Sequence, residues 1–175
     1  MGWSMKSTGK QQADAGRAAD EHAVELWGRV INGFEVTNRR IHGAINERFS
    51  LSEAEVQVLL NLHRQPDFRA PMAQLARAAS FSTGGFTKLA DKLTQRGFVS
   101  RAACPDDRRV TFLEFTPEGR RLADELTGLA ARLTREAFID VLGQDTAEVM
   151  AEAMSELVRA NTPPDDQGSA VTLPR

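Results

Sequence analysis

The segment from Pro71 to Thr116 constrains the fold more than any other part of the chain. It begins with a short helical pattern, "PMAQLARAA", that has Pro71 at the favoured first helical position and is broken by "SFS". A second helix is predicted at 83–96, where Ser82 can cap the start and Gly97 can end the helix in a left-handed conformation. Two runs of β-formers then flank "PDDR". Two short helices with a tight connection, followed by a hairpin, predict a winged helix-turn-helix.

The helix expected before this segment is long for a chain of 175 residues. Its apolar residues recur at three- and four-residue steps with one longer gap: Ala23, Trp27, Val30, Phe34, Ile41, Ile45 and Phe49. Three glycines lie inside this stripe, and each costs roughly 1 kcal/mol relative to alanine. Close packing against another helix would offset that cost. Together with a second stripe over Leu122–Leu133, the pattern predicts a two-fold dimer.

Helices on both sides of the hairpin give a mainly α fold with a small β wing. Ser52 and Glu55 form a capping box that opens a helix at "LSEAEVQVLLNLHR". The predicted domain covers residues 17–161, with the winged helix-turn-helix at about 52–116 and dimerisation helices at about 18–49 and 117–161. The later part divides into a helix from Thr116-Pro117 to about Leu142 and a last helix over "QDTAEVMAEAMSELVRAN". Residues 1–16 and 162–175 are polar and are expected to be disordered.

Composition excludes several classes of protein. One cysteine and three histidines, without HExxH spacing, predict no disulfide, metal site or cofactor. No apolar run reaches the length of a membrane span, and the N-terminus lacks the apolar core of a signal peptide, so a cytoplasmic protein is expected. A catalytic role for Asp106 or Asp107 would need a base or nucleophile as partner, and the sequence places none, so we do not expect an enzyme.

Charge is distributed unevenly along the chain. The net charge is −2, yet residues 66–110 carry eight Lys or Arg against four Asp. Chance clustering would explain this by itself. Because the basic stretch coincides with the predicted second helix and hairpin, it indicates a patch for a polyanion.

The helix at 83–96 has the composition of a DNA-reading helix. In a helix-turn-helix the second helix enters the major groove, and its N-terminal half reaches base edges. Lys88 can bond guanine acceptors, whereas Lys92 is expected to meet phosphate. The residues of this segment expected to contact DNA are Ser82, Thr83, Gly85, Thr87, Lys88 and Lys92.

Gly84 and Gly85 near the start of this helix leave two interpretations open. A bare backbone would let the helix end approach a phosphate or a base closely, and helix N-terminal amides favour anions. Alternatively, the glycines only loosen the first turn.

The tip of the hairpin carries the sequence "CPDDRRV". A wing tip beside a reading helix lies over the neighbouring minor groove, and arginine is the side chain best suited to enter that groove. A carboxylate that holds the guanidinium in place beforehand reduces the rotamer entropy lost on insertion. Asp107 beside Arg108 and Arg109 offers such a pair, and all three are expected at the DNA interface.

The stretch "STGGFTKLADKLTQRGFVSRAACPDDRRVTFLEFTPEG" resembles the core signature of the MarR family of bacterial transcriptional regulators. The family pattern T-[RK]-x-x-[DR]-x-L-x-x-x-G is matched from Thr87 to Gly97. The D-x-R of the wing is matched by Asp107 and Arg109. A Leu-Thr-x-x-Gly step is matched from Phe115 to Gly119, with Phe in place of the usual Leu.

This resemblance implies an obligate homodimer that binds a double-stranded, pseudo-palindromic operator, with one recognition helix in each half-site. It also implies that Arg109 is the minor-groove probe, that Asp107 orients it, and that Arg108 makes a phosphate contact. Many members repress transcription and release DNA when a small molecule enters a cleft between the dimerisation and DNA-binding regions. An aromatic or anionic effector is therefore expected, and its binding residues are unknown.

The residues leave the effector site and one alternative function open. Trp27, His42, His63 and Arg101 could line a pocket, although each residue type is more often found in a core or an interface. The alternative function is a dimeric winged-helix module that binds a protein partner without specific DNA binding. The lysines of helix 83–96 and the wing arginines argue against that alternative.

Overall fold

The structure is a computed structural model that describes residues 5–79, 81–104, 107 and 109–162, with the backbone alone described for 5–15 and Thr83. Two compact units divide the chain, one up to Arg40 and one from Ile41 onward.

The first unit consists of helical residues of α1 (Met5–Phe49). The helix begins at Met5, so residues 5–16 are helical where disorder was expected, and residues 1–4 lie outside the described part. Low apolar content suggested disorder, but Ala, Gln and Lys are strong helix formers and can extend a helix without packing. The apolar stripe is exposed here: Trp27 is 54% and Phe34 is 62% exposed.

The second unit contains the end of α1 and all later elements. In chain order these are α2 (Glu53–His63), a 3₁₀ turn (Pro66–Phe68), β1 (Arg69–Pro71), α3 (Met72–Ala78), α4 (Thr83–Gln95), β2 (Val99–Ala103), β3 (Thr111–Phe115), α5 (Pro117–Thr134), a π-helical turn (Arg135–Ile139), α6 (Asp140–Leu142) and α7 (Gln144–Asn161). Helices α3 and α4 followed by the β2–β3 hairpin confirm the predicted winged helix-turn-helix.

The wing belongs to a three-stranded antiparallel sheet with the order β1-β3-β2. The sequence did not predict strand β1, because three residues are too few to show an alternating pattern. Its central residue, Ala70, pairs with Leu113 of β3. Pro71 ends β1 and occupies the N-cap position of α3, so the predicted first helical position for Pro71 was wrong by one residue. Proline suits a strand end because it has no N–H to donate to the ladder.

The core of the second unit lies beneath α4 and the sheet. Phe86, Ala90 and Leu93 of α4 are at most 1% exposed and form the inward-facing apolar stripe of this helix. They pack in one cluster with other fully buried residues: Ile45, Leu51, Val56, Val58, Leu59, Leu62, Leu75, Val99, Leu113 and Leu126. Because the buried stripe fixes the rotation of α4, its polar side chains face solvent.

The predicted helix boundaries of α2 and α4 are confirmed by their caps. The hydroxyl of Ser52 accepts from the Glu55 amide, and the Glu55 carboxylate accepts from the Ser52 amide. At the end of α4, Gly97 has a φ of +75°. Its amide donates to the Thr94 carbonyl and the Phe98 amide to the Leu93 carbonyl, at 2.9 and 3.1 Å, which is a Schellman motif.

The first turn of α5 presses against the residues that end α4. The Thr116 hydroxyl accepts from the Gly119 amide at 3.0 Å and donates to the Gly97 carbonyl at 2.6 Å. A Cβ at position 119 would lie 1.7 Å from the carbonyl oxygen of Phe98, so only glycine fits there. Thr116 and Gly119 of the Thr-x-x-Gly step therefore join the start of α5 to the end of α4.

The helix expected from Thr116-Pro117 to about Leu142 is α5, the π-helical turn and α6 taken together. Several large apolar side chains near its end and on α7 are exposed: Val141, Leu142, Val149, Leu157 and Val158. Apart from Thr162, the predicted disordered tail at 162–175 lies outside the described residues.

Candidate nucleic-acid interface

Helix α4 presents the polar side chains that the sequence assigned to DNA. Thr87, Lys88 and Lys92 are exposed, as is the helix start at Ser82 and Gly85. Ser82 is the N-cap, and its hydroxyl oxygen accepts from the Gly85 amide at 3.2 Å, so its own proton can still be donated to a ligand. The side chain of Thr83 lies outside the described part of the structure. The outer face of α4 is therefore available for contact.

The glycines at the start of α4 differ in their surroundings. A Cβ at Gly84 would meet nothing within 4 Å, so no packing in the chain requires glycine there. A Cβ at Gly85 would lie 3.1 Å from the capping oxygen of Ser82, which is a tight contact. No packing contact within the described part of the chain therefore accounts for glycine at position 84.

The wing carries an arginine that is held in place and still faces solvent. Asp107 accepts from Nε of Arg109 at 3.2 Å, from its Nη2 at 3.3 Å and from its backbone amide at 2.9 Å. The side chain of Arg109 remains 91% exposed. These hydrogen bonds from the Arg109 side chain and amide lower the pKa of Asp107, so the carboxylate stays ionised. Arg108 lies outside the described residues.

A groove of about 470 Å³ separates α3, the start of α4 and the wing. Its floor is largely apolar, with Pro71, Met72, Ala76, Phe86 and Val110 among the lining residues. Thr87 and Arg109 lie on the same groove. The polar face of α4 and the wing arginine therefore border one continuous surface.

Arg101 of β2 connects the wing to the recognition helix. Its guanidinium lies 2.9 Å from Oδ1 of Asp91 and donates to the Thr87 carbonyl at 3.3 Å. The sequence suggested Arg101 only as a pocket residue, and its partner was not found. An acidic residue on the helix and an arginine just past Gly97 are visible in the sequence, but their pairing depends on the intervening turn.

Lys92 has a partner that the sequence did not reveal. Its Nζ donates to Oε2 of Glu55 at 3.1 Å, and the same carboxylate accepts from Nη1 of Arg96 at 2.8 Å. Glu55 is fully buried. Burial raises the pKa of Glu55, but hydrogen bonds from Ser52, Arg96 and Lys92 outweigh that effect and lower the pKa to about 2. Lys92 is thus part of a structural ion pair, and its contact with phosphate stays a prediction.

Two of the suggested pocket residues are engaged with acidic neighbours. His63 Nε2 lies 2.8 Å from Oδ1 of Asp124, and His42 Nε2 lies 3.6 Å from Oε1 of Glu53. A second groove, of about 430 Å³, lies between the end of α1 and α5 and is lined by Ala44, Arg48, Phe49, Glu125, Gly128, Leu129 and Arg132. His42, His63 and Arg101 line neither this groove nor the one between α3, α4 and the wing.

Among the described residues, no three His, Cys, Asp or Glu side chains come together in a group that could hold a metal ion. No helix within the described ranges has both the length and the apolar character needed to cross a bilayer.

Comparison with known proteins gives the same assignment as the geometry. The model of the MarR family matches residues 49–110, which include the capping box of α2, α3, α4 and the start of the wing loop. The transcriptional regulator MhqR of Bacillus subtilis is 30% identical over 121 residues, covering 69% of this chain and 77% of MhqR. The chain belongs to the MarR family. As a member of this family it is a transcriptional regulator.

Solved structures agree on the fold. Sco3205, a MarR-family regulator from Streptomyces coelicolor solved in complex with DNA, has a TM-score of 0.74 at 21% identity, over 81% of this chain and 92% of Sco3205. NadR, solved in complex with 4-hydroxyphenylacetate, has a TM-score of 0.62 at 21% identity, over 74% of this chain and 89% of NadR. The winged helix-turn-helix of this MarR-family chain is shared with both.

Proposed function

We propose that this MarR-family regulator binds a pseudo-palindromic operator as a homodimer, represses transcription there, and releases DNA when a small-molecule effector binds. The observation that carries the proposal is the common surface of α4 and the wing. The outer face of α4 and the exposed guanidinium of Arg109 border one groove, which is the arrangement needed to read a major groove and the adjacent minor groove together.

Each contact on this surface has its own task in the proposal. Lys88, exposed near the start of α4, reaches guanine acceptors in the major groove. The hydroxyl of Ser82 and the bare backbone at Gly84 and Gly85 approach phosphates at the helix N-terminus. Arg109, oriented by Asp107, enters the minor groove.

Unpartnered apolar side chains support the homodimer. In the first unit, Val24, Trp27, Phe34 and Val36 are each more than half exposed. In the second unit, exposed apolar residues lie on α6 and α7, such as Val141 and Val149 at 68% and 71%. Contact with a second copy would remove both surfaces from water.

The groove between the end of α1 and α5 is our candidate for the effector site. Arg132 and Arg48, which lies 3.8 Å from the Glu125 carboxylate, supply cations on its walls, and Phe49 and Leu129 supply apolar surface. This chemistry suits a small aromatic carboxylate. NadR has been solved with a ligand of that class, 4-hydroxyphenylacetate.

Selection of bound sequences from random DNA tests the proposal. We expect enrichment of an inverted repeat whose half-sites are about one helical turn apart, and a dimer by light scattering at micromolar concentration. Enrichment of no sequence, with a folded dimer, would favour the protein-interaction module. A monomer would contradict the homodimer.

Substitution of one lysine then tests the reading helix. Lys88→Ala should weaken operator binding by roughly 1–3 kcal/mol and relax the base preference at one position. Arg17→Ala on α1 removes the same charge from an exposed surface pair outside the predicted dimerisation range and is the matched control. Equal affinities for the two variants would remove Lys88 from the interface.

A further inference from the structure

We infer that Glu55 and Arg96 form a joint that sets the orientation of the recognition helix α4 against the ends of α1 and α2, so that discrimination between operator and other DNA depends on this pair. The inference rests on the proposed operator binding. It concerns residues that would not themselves touch bases.

The joint brings two elements, α2 and α4, to one carboxylate. Glu55 is in the first turn of α2, and its oxygens accept from the Ser52 amide and hydroxyl at 2.9 and 2.7 Å. From α4 and its C-cap come Lys92 and Arg96, at 3.1 and 2.8 Å. The side chain of Glu55 is only 1% exposed, so these charged hydrogen bonds lie in a protected environment, where geometry is enforced strongly.

Arg96 extends the joint to the end of α1. Its Nη1 donates to the Ser50 carbonyl at 3.0 Å and its Nη2 to the Phe49 carbonyl at 3.3 Å. These are the last carbonyls of a helix, where a cation is favoured. The guanidinium also lies 4.9 Å from the ring centroid of Phe98, just past the Schellman turn. One planar side chain therefore fixes the C-terminal end of α4 to α1, α2 and the start of β2.

The hydrogen bonds of Arg96 set the orientation of α4, in addition to holding the helix on the core. The apolar stripe of Phe86, Ala90 and Leu93 already holds α4 on the core. Apolar contacts are non-directional, and they tolerate small rotations and tilts of a helix. Arg96 does not tolerate them, because its planar guanidinium donates to three different oxygens and each hydrogen bond weakens when the angle changes. A tilt at the end of α4 would move the base-reading residues at its start.

The charge of Glu55 and its positioning of α4 predict opposite changes in DNA affinity for the substitution Glu55→Gln. Glu55→Gln keeps the size of the side chain and its ability to complete a capping box, but it removes a negative charge next to Lys92 and Arg96. By charge alone, every duplex should then bind more tightly, because the two cations lose their partner. If the pair positions α4, operator affinity should fall instead.

The experiment titrates wild type, Glu55→Gln and Arg96→Lys against the selected operator and a scrambled duplex of the same length. Arg96→Lys keeps the charge and loses the fork, and Arg17→Lys, at an exposed pair on α1 outside the predicted dimerisation range, is its matched control. We expect operator affinity to fall roughly three- to thirtyfold in both joint variants and not in the control. Affinity for the scrambled duplex should be unchanged or increased.

Three results separate the outcomes. Equal losses on both duplexes, or no loss on the operator, would overturn the inference. The unfolding temperature of each variant must lie well above the titration temperature. If Glu55→Gln does not meet this condition, the affinities of Arg96→Lys alone test the inference. A wild type that does not distinguish the two duplexes would overturn the proposed function itself, and the inference with it.

Discussion

Two carboxylate–arginine pairs in this protein have the same chemistry and opposite surroundings. In the wing, Asp107 holds Arg109, whose side chain is 91% exposed. Between α2 and α4, Glu55 holds Arg96, and the carboxylate is 1% exposed. The wing pair presents a cation to solvent in a fixed direction, whereas the buried pair directs its hydrogen bonds to other parts of the chain.

The difference shows how burial changes what an ion pair does. An exposed pair is screened by water and salt and contributes little to stability, so its value lies in where it directs the guanidinium. A buried carboxylate is costly unless every hydrogen bond is made, so removal of one partner disturbs the structure around it. We therefore expect the buried pair to affect folding first, and the wing pair to affect only binding.

The largest contrast is expected in stability. Glu55→Ala should lower the free energy of unfolding by roughly 3 kcal/mol, since it removes several charged hydrogen bonds at a buried position. Urea denaturation measures this directly. Asp107→Ala should leave the midpoint unchanged, because its partner Arg109 remains in water. Equal shifts in the two variants would remove the distinction between the pairs.

Acid should remove the stability that the buried Glu55 carboxylate contributes. The folded-state pKa of Glu55, about 2, lies below its ordinary value of 4.5, so its contribution is fully present above pH 4.5 and is lost as the pH falls toward 2. That contribution is on the order of 3 kcal/mol. The difference in unfolding free energy between wild type and Glu55→Gln should therefore shrink over this range. A constant difference between about pH 5 and about pH 2.5 would contradict the assignment.

At the wing, the expected effect is on DNA binding. Arg109→Ala should weaken binding roughly tenfold, or about 1.4 kcal/mol, on operators with A·T-rich flanks, and less on G·C-rich flanks, because narrow minor grooves attract arginine most. Titration against operators that differ only in their flanks measures this. A loss independent of flank composition would make the wing a general phosphate clamp.

The smallest effect is expected from the residue that orients the wing arginine. Asp107→Ala should show the same flank dependence as Arg109→Ala with a smaller loss, because the guanidinium remains but must be ordered on binding. Asp107→Glu, which can still pair with Arg109, is the matched control. A loss larger than that of Arg109→Ala would mean that Asp107 has a role beyond orientation.

The helices and their ends could be predicted because their causes are local. Ser52 and Glu55, three residues apart, make a capping box wherever a helix follows them. Gly97 adopts a φ of +75° with the expected Schellman bonds. The exposed pair of Asp107 and Arg109 is local as well, since the partners lie two positions apart. The signature that identified the family consists of such short-range features.

What could not be predicted joins residues far apart in sequence. Glu55 was recognised as a cap, but its buried pairing with Arg96 spans 41 residues and depends on how α4 packs on α2. Strand β1 exists because β3 offers it a partner, and three residues have no pattern of their own.

The sequence by itself thus determined most of the helices, the polar face of α4 and the local pairing of Asp107 with Arg109, because propensity, periodicity and capping act over a few residues. Only the tertiary structure decided which charges form buried structural pairs and which stay exposed to solvent. Lys88 and Lys92 look alike in sequence, yet only Lys92 comes within 3.1 Å of a buried carboxylate. The physical reason is that desolvation and hydrogen bonding are set by neighbours that the fold, and not the chain order, brings together.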